Sequence, residues 1–150
     1  MGTTSINGYS IELISLLKAC NNAFNGKYKV THAIWPYIHN PKTVGMLADV
    51  VDQINIMSYG YSFSTLEYLI KQYNDNGFPY EKMMVGIETE RGTDTQELII
   101  EKLDLVKKYN LGGIFEWRLD NDGIRIENGT KYGPPTFKTT KILYEALKKF

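Results

Sequence analysis

The residues of this 150-residue chain best suited to handling a ligand are Trp35, Tyr59, Glu88, Trp117 and Asp120, with Met57 beside the tyrosine. The first four each stand at the close of an apolar run. In INIMSYGYS, residues 54–62, Ile54, Ile56 and Met57 suit a buried strand, and then Ser58, Tyr59, Gly60 and Tyr61 bring hydroxyls and a turn. A rim of aromatic faces and carboxylates suits sugars, because tryptophan stacks on pyranose rings while tyrosines and acids hydrogen-bond their hydroxyls. Ordinary packing at element ends gives the same composition. Glu88, Glu90 and Glu116 lie near strand ends, where two could act as an acid/base pair. Rim salt bridges to Arg91 or Arg118 account for them more simply. Asp120, three residues past Trp117, reads as a loop cap rather than a catalyst.

Several chemistries are excluded. Two histidines and a single cysteine, Cys20, supply too few ligands for zinc and no internal disulfide. Cys20 falls in a helical run, as an inert core thiol would. Lys plus Arg equals Asp plus Glu, so no net field draws nucleic acid or an anionic membrane, and neither is an expected partner. No signal peptide or membrane-spanning run is visible. No glycine-rich phosphate loop follows the first strand, and no cofactor is expected.

The elements that must position these residues follow from periodicity. SIELISLLKACNNAF repeats apolar residues at Ile11, Ile14, Leu17 and Ala19–Cys20 as one helix face, capped by Ser10 and closed by Asn25-Gly26. YKVTHAIW is a strand, residues 41–50 a short helix, and INIMSY the second strand. Ser64 caps TLEYLIKQYNDNG, and MMVGIE is the third strand. Thr93 and Gln96 are spaced as a capping box for a helix that Gly112-Gly113 stops. Next come GIFEW, a Gly/Pro-rich hairpin or loop, and a last helix, TTKILYEALKKF. Strand centres recur about every 25–30 residues, the size of a parallel βα unit. The strands are apolar at consecutive positions, as strands buried on both faces are. Residues 1–150 therefore read as one α/β domain of four parallel βα units. Such units form an open doubly wound sheet of the flavodoxin kind or part of a (βα)8 barrel, and both place function at the C-terminal strand ends.

Together these runs resemble a known family. INIMSYG resembles the sixth barrel strand of the family-18 glycoside hydrolases, the chitinases and endo-β-N-acetylglucosaminidases, which carry Met-x-Tyr there. GGIFEWRLDND resembles their eighth strand, MMVGIE their seventh and YKVTHAIWP their fifth. SIELISLLKACNNAFNGKY resembles the helix after their fourth. The resemblance implies the C-terminal half of a TIM-type barrel and an N-acetylglucosamine-containing oligosaccharide as ligand. It implies that Tyr59 donates its hydroxyl to the acetamido group, and that Trp117 forms the floor of the subsite where the sugar distorts. Met57 would line that floor, or equally fill the core. In this family the substrate's own N-acetyl oxygen is the nucleophile, so one carboxylic acid serves as proton donor. The motif bearing that acid, Asp-x-x-Asp-x-Asp-x-Glu, is nowhere in the chain, and its glutamate would stand just before Met1.

Departures and consequences follow. Family members often have Asp where this chain has Gly60, and a small residue where it has Arg118. The resemblance also implies a cis Trp117–Arg118 peptide. Three outcomes are open: a hydrolase fragment that positions substrate without protonating it, a non-catalytic chitooligosaccharide binder, or a half-barrel that associates. Four parallel βα units leave two open sheet edges, which an N-terminal half-barrel or a second copy would cover.

Overall fold

The computed structural model describes residues 5–6, 9–89, 93–119, 122, 125–127, 130–132 and 136–148. A short antiparallel pair, β1 (Ser5–Ile6) and β2 (Tyr9–Ser10), leads into α1 (Ile11–Phe24). Then come β3 (Thr31–Ile34), α2 (Pro41–Gly45), β4 (Gln53–Ile56), α3 (Phe63–Asp75), β5 (Met83–Glu88), α4 (Gln96–Tyr109) and β6 (Gly113–Trp117). A second hairpin, β7 (Arg125–Glu127) with β8 (Thr130–Tyr132), precedes α5 (Lys138–Leu147).

The protein is α/β, and β3 to β6 form one all-parallel sheet in sequential order. Each intervening crossover carries a helix, as parallel neighbours require. The arrangement is consistent with half of a (βα)8 barrel or with an open α/β sheet. Sequential order without an out-of-sequence strand favours the half-barrel. So does the helix layer, in which α2 meets α3, α3 meets α4 and α4 meets α5.

Strand parity divides the sheet into two unlike faces. Ile34, Ile54, Ile56, Met83 and Val85 are buried against Leu66 and Ile70 of α3 and Leu105 of α4. At the far end Ile87 packs with Ile99, Leu103 and Leu143. Each such side chain contributes about 1.5–3 kcal/mol by leaving water. Among the described residues the opposite face is the more exposed one. Thr31 and Ala33 are exposed, and Gln53, Asn55, Met57, Met84 and Phe115 are only half-buried. The consecutive apolar runs therefore did not mean burial on both faces here; among the described residues the helices pack on one. Among the described residues, β3 and β6 each pair on one side only.

Local signals were partly misplaced. The α3 cap is Ser62, whose hydroxyl accepts from the Thr65 amide at 3.3 Å, not Ser64. The α4 cap is Thr95, accepting from the Leu98 amide at 3.3 Å, not Thr93. Asn110, in the left-handed region at φ +51°, ends α4 before Gly112 is reached. Leu13, rather than exposed Ala19, joins Ile14, Leu17 and Cys20 against the core. The short helix expected over residues 41–50 stops at Gly45, and turns follow.

Candidate functional site on the open sheet face

The β4 strand ends at Ile56, and the chain bends into a turn in which the Tyr61 amide donates to the Ser58 carbonyl at 3.1 Å. Gly60 adopts φ +69°, a left-handed backbone that any side chain at this position would strain. The bend lays the Tyr59 ring across β5 over Gly86. A Cβ on Gly86 would lie 2.9 Å from Tyr59 Cε1 and 2.8 Å from Phe115 Cζ. The two rings meet edge to face, 6.4 Å between centroids. Two residues past Phe115 on the same face of β6 comes Trp117, in register with Glu88 and 50 % exposed. Tyr59, Phe115 and Trp117 thus share one face at the C-terminal ends of the strands, with buried Glu88 in register beside Trp117. The Trp117–Arg118 peptide is cis, and beyond it the Thr89 hydroxyl donates to the Arg118 carbonyl at 2.8 Å.

Beneath this surface lies a buried polar cluster. Lys102 reaches up from α4, fully buried, and its ammonium donates to the carbonyls of Ser58 (2.8 Å) and Gly86 (3.0 Å) and to Asp94 Oδ1 (2.6 Å). All three ammonium donors are satisfied, the condition under which a buried charge is tolerated. Asp94 Oδ1 also accepts from the Gly60 amide at 3.1 Å, and its Oδ2 from the Glu88 amide at 2.6 Å. Ser58 Oγ closes the cluster, donating to the Gly86 carbonyl and accepting from the Gly86 amide. One ion pair therefore ties the Tyr59 turn to the end of β5.

The electrostatics assign roles. Burial, reinforced by the negative charges of Glu88 and Asp94, pushes the Tyr59 phenol up to about 12. At neutral pH it is a hydrogen-bond donor and not a proton-transfer group. Burial holds the Lys102 ammonium below its ordinary value, with Asp94 and then Glu88 pulling the other way. Glu88 is itself buried, and its Oε2 accepts from the Thr93 hydroxyl.

The remaining candidates disperse. Glu116 faces the helix layer, near the Thr140 hydroxyl at 3.3 Å, so it cannot pair with Glu88 across a common ligand. Burial and the nearby Asp122 raise its carboxyl. Asp120 and Glu90 lie outside the described residues. The carboxylate seen capping α5 is Asp122, which accepts from the Thr140 amide at 2.8 Å. Met57 shares the open-face parity of Asn55, half-buried, beside the Tyr59 turn. Trp35, 48 % exposed, directly follows β3 at the opposite sheet edge and meets Tyr37, which in turn meets Tyr61.

Sequence reasoning missed Lys102, Asp94, Ser58, Gly86 and Phe115. A signal for Lys102 was present: with Ile99, Leu103 and Val106 it lies on the apolar stripe of α4. Among the described residues no three His, Cys, Asp or Glu side chains come together as metal ligands, and no helix is long and apolar enough to cross a membrane. No protein-family model, curated protein or solved structure matches the chain.

Proposed function

We propose that the open sheet face binds an N-acetylated amino sugar, as the substrate-positioning part of a family-18-type glycosidase site. The observation that carries this reading is the placement of the Tyr59 and Phe115 rings over Gly86, with exposed Trp117 on the same face and buried Glu88 in register beside it. Trp117 offers a flat apolar surface to a pyranose ring. Tyr59 offers a hydroxyl that stays protonated and donates to the acetamido oxygen, holding it for attack on the anomeric carbon. Protonation of the leaving oxygen needs a further carboxylic acid, whose motif the sequence lacks. Its absence costs roughly 10²–10⁴ in rate, so this chain binds and orients rather than cleaves.

The test is a titration with N,N′,N″-triacetylchitotriose in a Trp35→Phe background, where Trp117 is the only tryptophan and is excited selectively. Saturable change with a millimolar or tighter Kd is expected, weakened about tenfold by Tyr59→Phe, the worth of one hydrogen bond. An unresponsive Trp117 would remove the reading.

A further inference from the structure

Two acids on the helix side of β6, Glu116 and Asp122, meet over one hydroxyl. Asp122 caps α5: its Oδ1 accepts from the Thr139 amide at 3.0 Å. Its Oδ2 accepts from the Thr140 amide at 2.8 Å and from the Thr140 hydroxyl at 2.7 Å. The Asp122 carbonyl accepts from the Phe137 amide at 2.9 Å, so its backbone is held to the start of α5 as well. Glu116 reaches the same hydroxyl from β6, with Oε2 at 3.3 Å and Oε1 at 3.4 Å from Thr140 Oγ1.

A hydroxyl has one proton to give. At 2.7 Å, an ordinary O–H···O distance, that proton belongs to Asp122. What Thr140 turns toward Glu116 is then its oxygen, an acceptor. An ionised Glu116 finds no donor there and faces a second carboxylate across the hydroxyl. A protonated Glu116 completes a chain by donating to Thr140 Oγ1.

The surroundings do not compensate a second charge. Ile87 of β5 stands in register with Glu116 and packs with Ile99 and Leu103 of α4 and Leu143 of α5. Lys102 of α4 is committed to Asp94, Lys138 of α5 acts on Glu97, and Lys141 lines the outer α4–α5 groove. Among the described residues Asp122 is the charged group that acts on Glu116. Burial and then that charge raise the Glu116 carboxyl. Burial opposes the Asp122 charge too, but the Thr140 hydroxyl and the two amides outweigh it and hold that carboxyl low. The proton affinities of the two acids are thereby driven apart, as in carboxyl pairs that keep one proton between them.

We propose that Glu116, Thr140 and Asp122 form an acid-set latch, in which protonated Glu116 donates to Thr140 Oγ1 and docks α5 on β6, while ionised Glu116 loosens it. The latch adjoins the ligand surface, because Glu116 immediately precedes Trp117 and the Asp122 amide reaches the Arg118 carbonyl at 3.4 Å. It does not depend on which ligand that surface takes. A carboxyl raised by folding contributes stability that is whole below its ordinary value, about pH 4.3, and lost as pH rises through the raised value. Each unit of raising is a tenfold change in the folding equilibrium.

The test combines 13C NMR titration of the Glu116 carboxyl with urea unfolding over a pH series, on wild type and Glu116→Gln. The glutamine amide donates to Thr140 at every pH. Glu116 is expected to titrate above about pH 4.3, and Asp122→Asn to bring it back toward that value. Glu116→Gln should match wild type in acid and become the more stable form as pH rises. The gap should reach tenfold in the folding equilibrium for each unit that the titration stands above the ordinary value. Hydrogen exchange should place the wild-type loss in α5, around Leu143, and spare α3. Titration of Glu116 at or below about pH 4.3 overturns the latch. So does a gap between the two proteins that is the same at every pH, or an equal loss of protection in α3 and α5.

Discussion

Asp94→Ala lowers the stability of this chain by about 3–5 kcal/mol, the cost of stranding one partner of a buried ion pair. Lys102 is fully buried, and of its three acceptors only Asp94 carries charge. Removing that carboxylate leaves an ammonium in an apolar layer and also frees the amides of Gly60 and Glu88. Without Asp94, the main group opposing its burial, the ammonium is held still further below its ordinary value in the folded variant, while the unfolded chain keeps its proton up to about pH 10.4. The unfolded state binds more protons between the depressed folded value and that limit, so the variant's stability rises from neutral toward alkaline pH. Urea unfolding at a series of pH values measures both effects. Adding Lys102→Met to Asp94→Ala recovers part of the loss, because the unpaired charge is gone. A shift within about 0.5 kcal/mol for Asp94→Ala alone, the range of ordinary surface changes, would show that the cluster does not hold the turn.

Gly86→Ala is the second large effect, about 1–3 kcal/mol of overpacking. Its new Cβ would stand 2.7 Å from the Ile56 carbonyl oxygen, which belongs to the adjacent strand and has little room to retreat. The Tyr59 and Phe115 rings, at 2.9 and 2.8 Å, would have to swing away from the sheet. The substitution therefore acts on stability and on the ligand surface together. We expect a lower denaturant midpoint and a loss of chitotriose affinity of about tenfold or more. Stability lost with affinity retained would mean that ring placement over Gly86 is structural only.

Much of this architecture was legible in the chain. The spacing of INIMSY, MMVGIE and GIFEW set the βα period, and strands of those runs pair in parallel and in order. Tyr59 and Trp117 stood out because polar aromatics at the close of apolar runs have few local reasons to be there. Choices between chemically equal neighbours were not legible. Ser62 and Ser64 cap equally well, and so do Thr93 and Thr95; packing decides. Phe63 enters the first turn of α3, half-buried beneath the Lys108 ammonium. Thr93 is drawn off to the Glu88 carboxylate. Asn110 and Gly112 both tolerate left-handed backbone, and Gly112 is needed elsewhere: a Cβ there would meet the Glu81 carbonyl oxygen at 2.6 Å. The Lys102 cluster was the largest omission, because its partners Ser58, Gly86 and Asp94 come from separate parts of the chain and converge only in three dimensions. The more exposed face could not be read either, since apolar runs record what a strand can bury and not what is present to bury it.

The most direct measurement is amide and indole chemical-shift mapping of the wild-type chain titrated with diacetylchitobiose. The account predicts saturable shifts at Gly60, Gly86, Glu88 and the Trp117 indole, with the helix layer silent. Shifts confined to the α4–α5 groove around Ile100 and Lys107, or none at millimolar ligand, would contradict it.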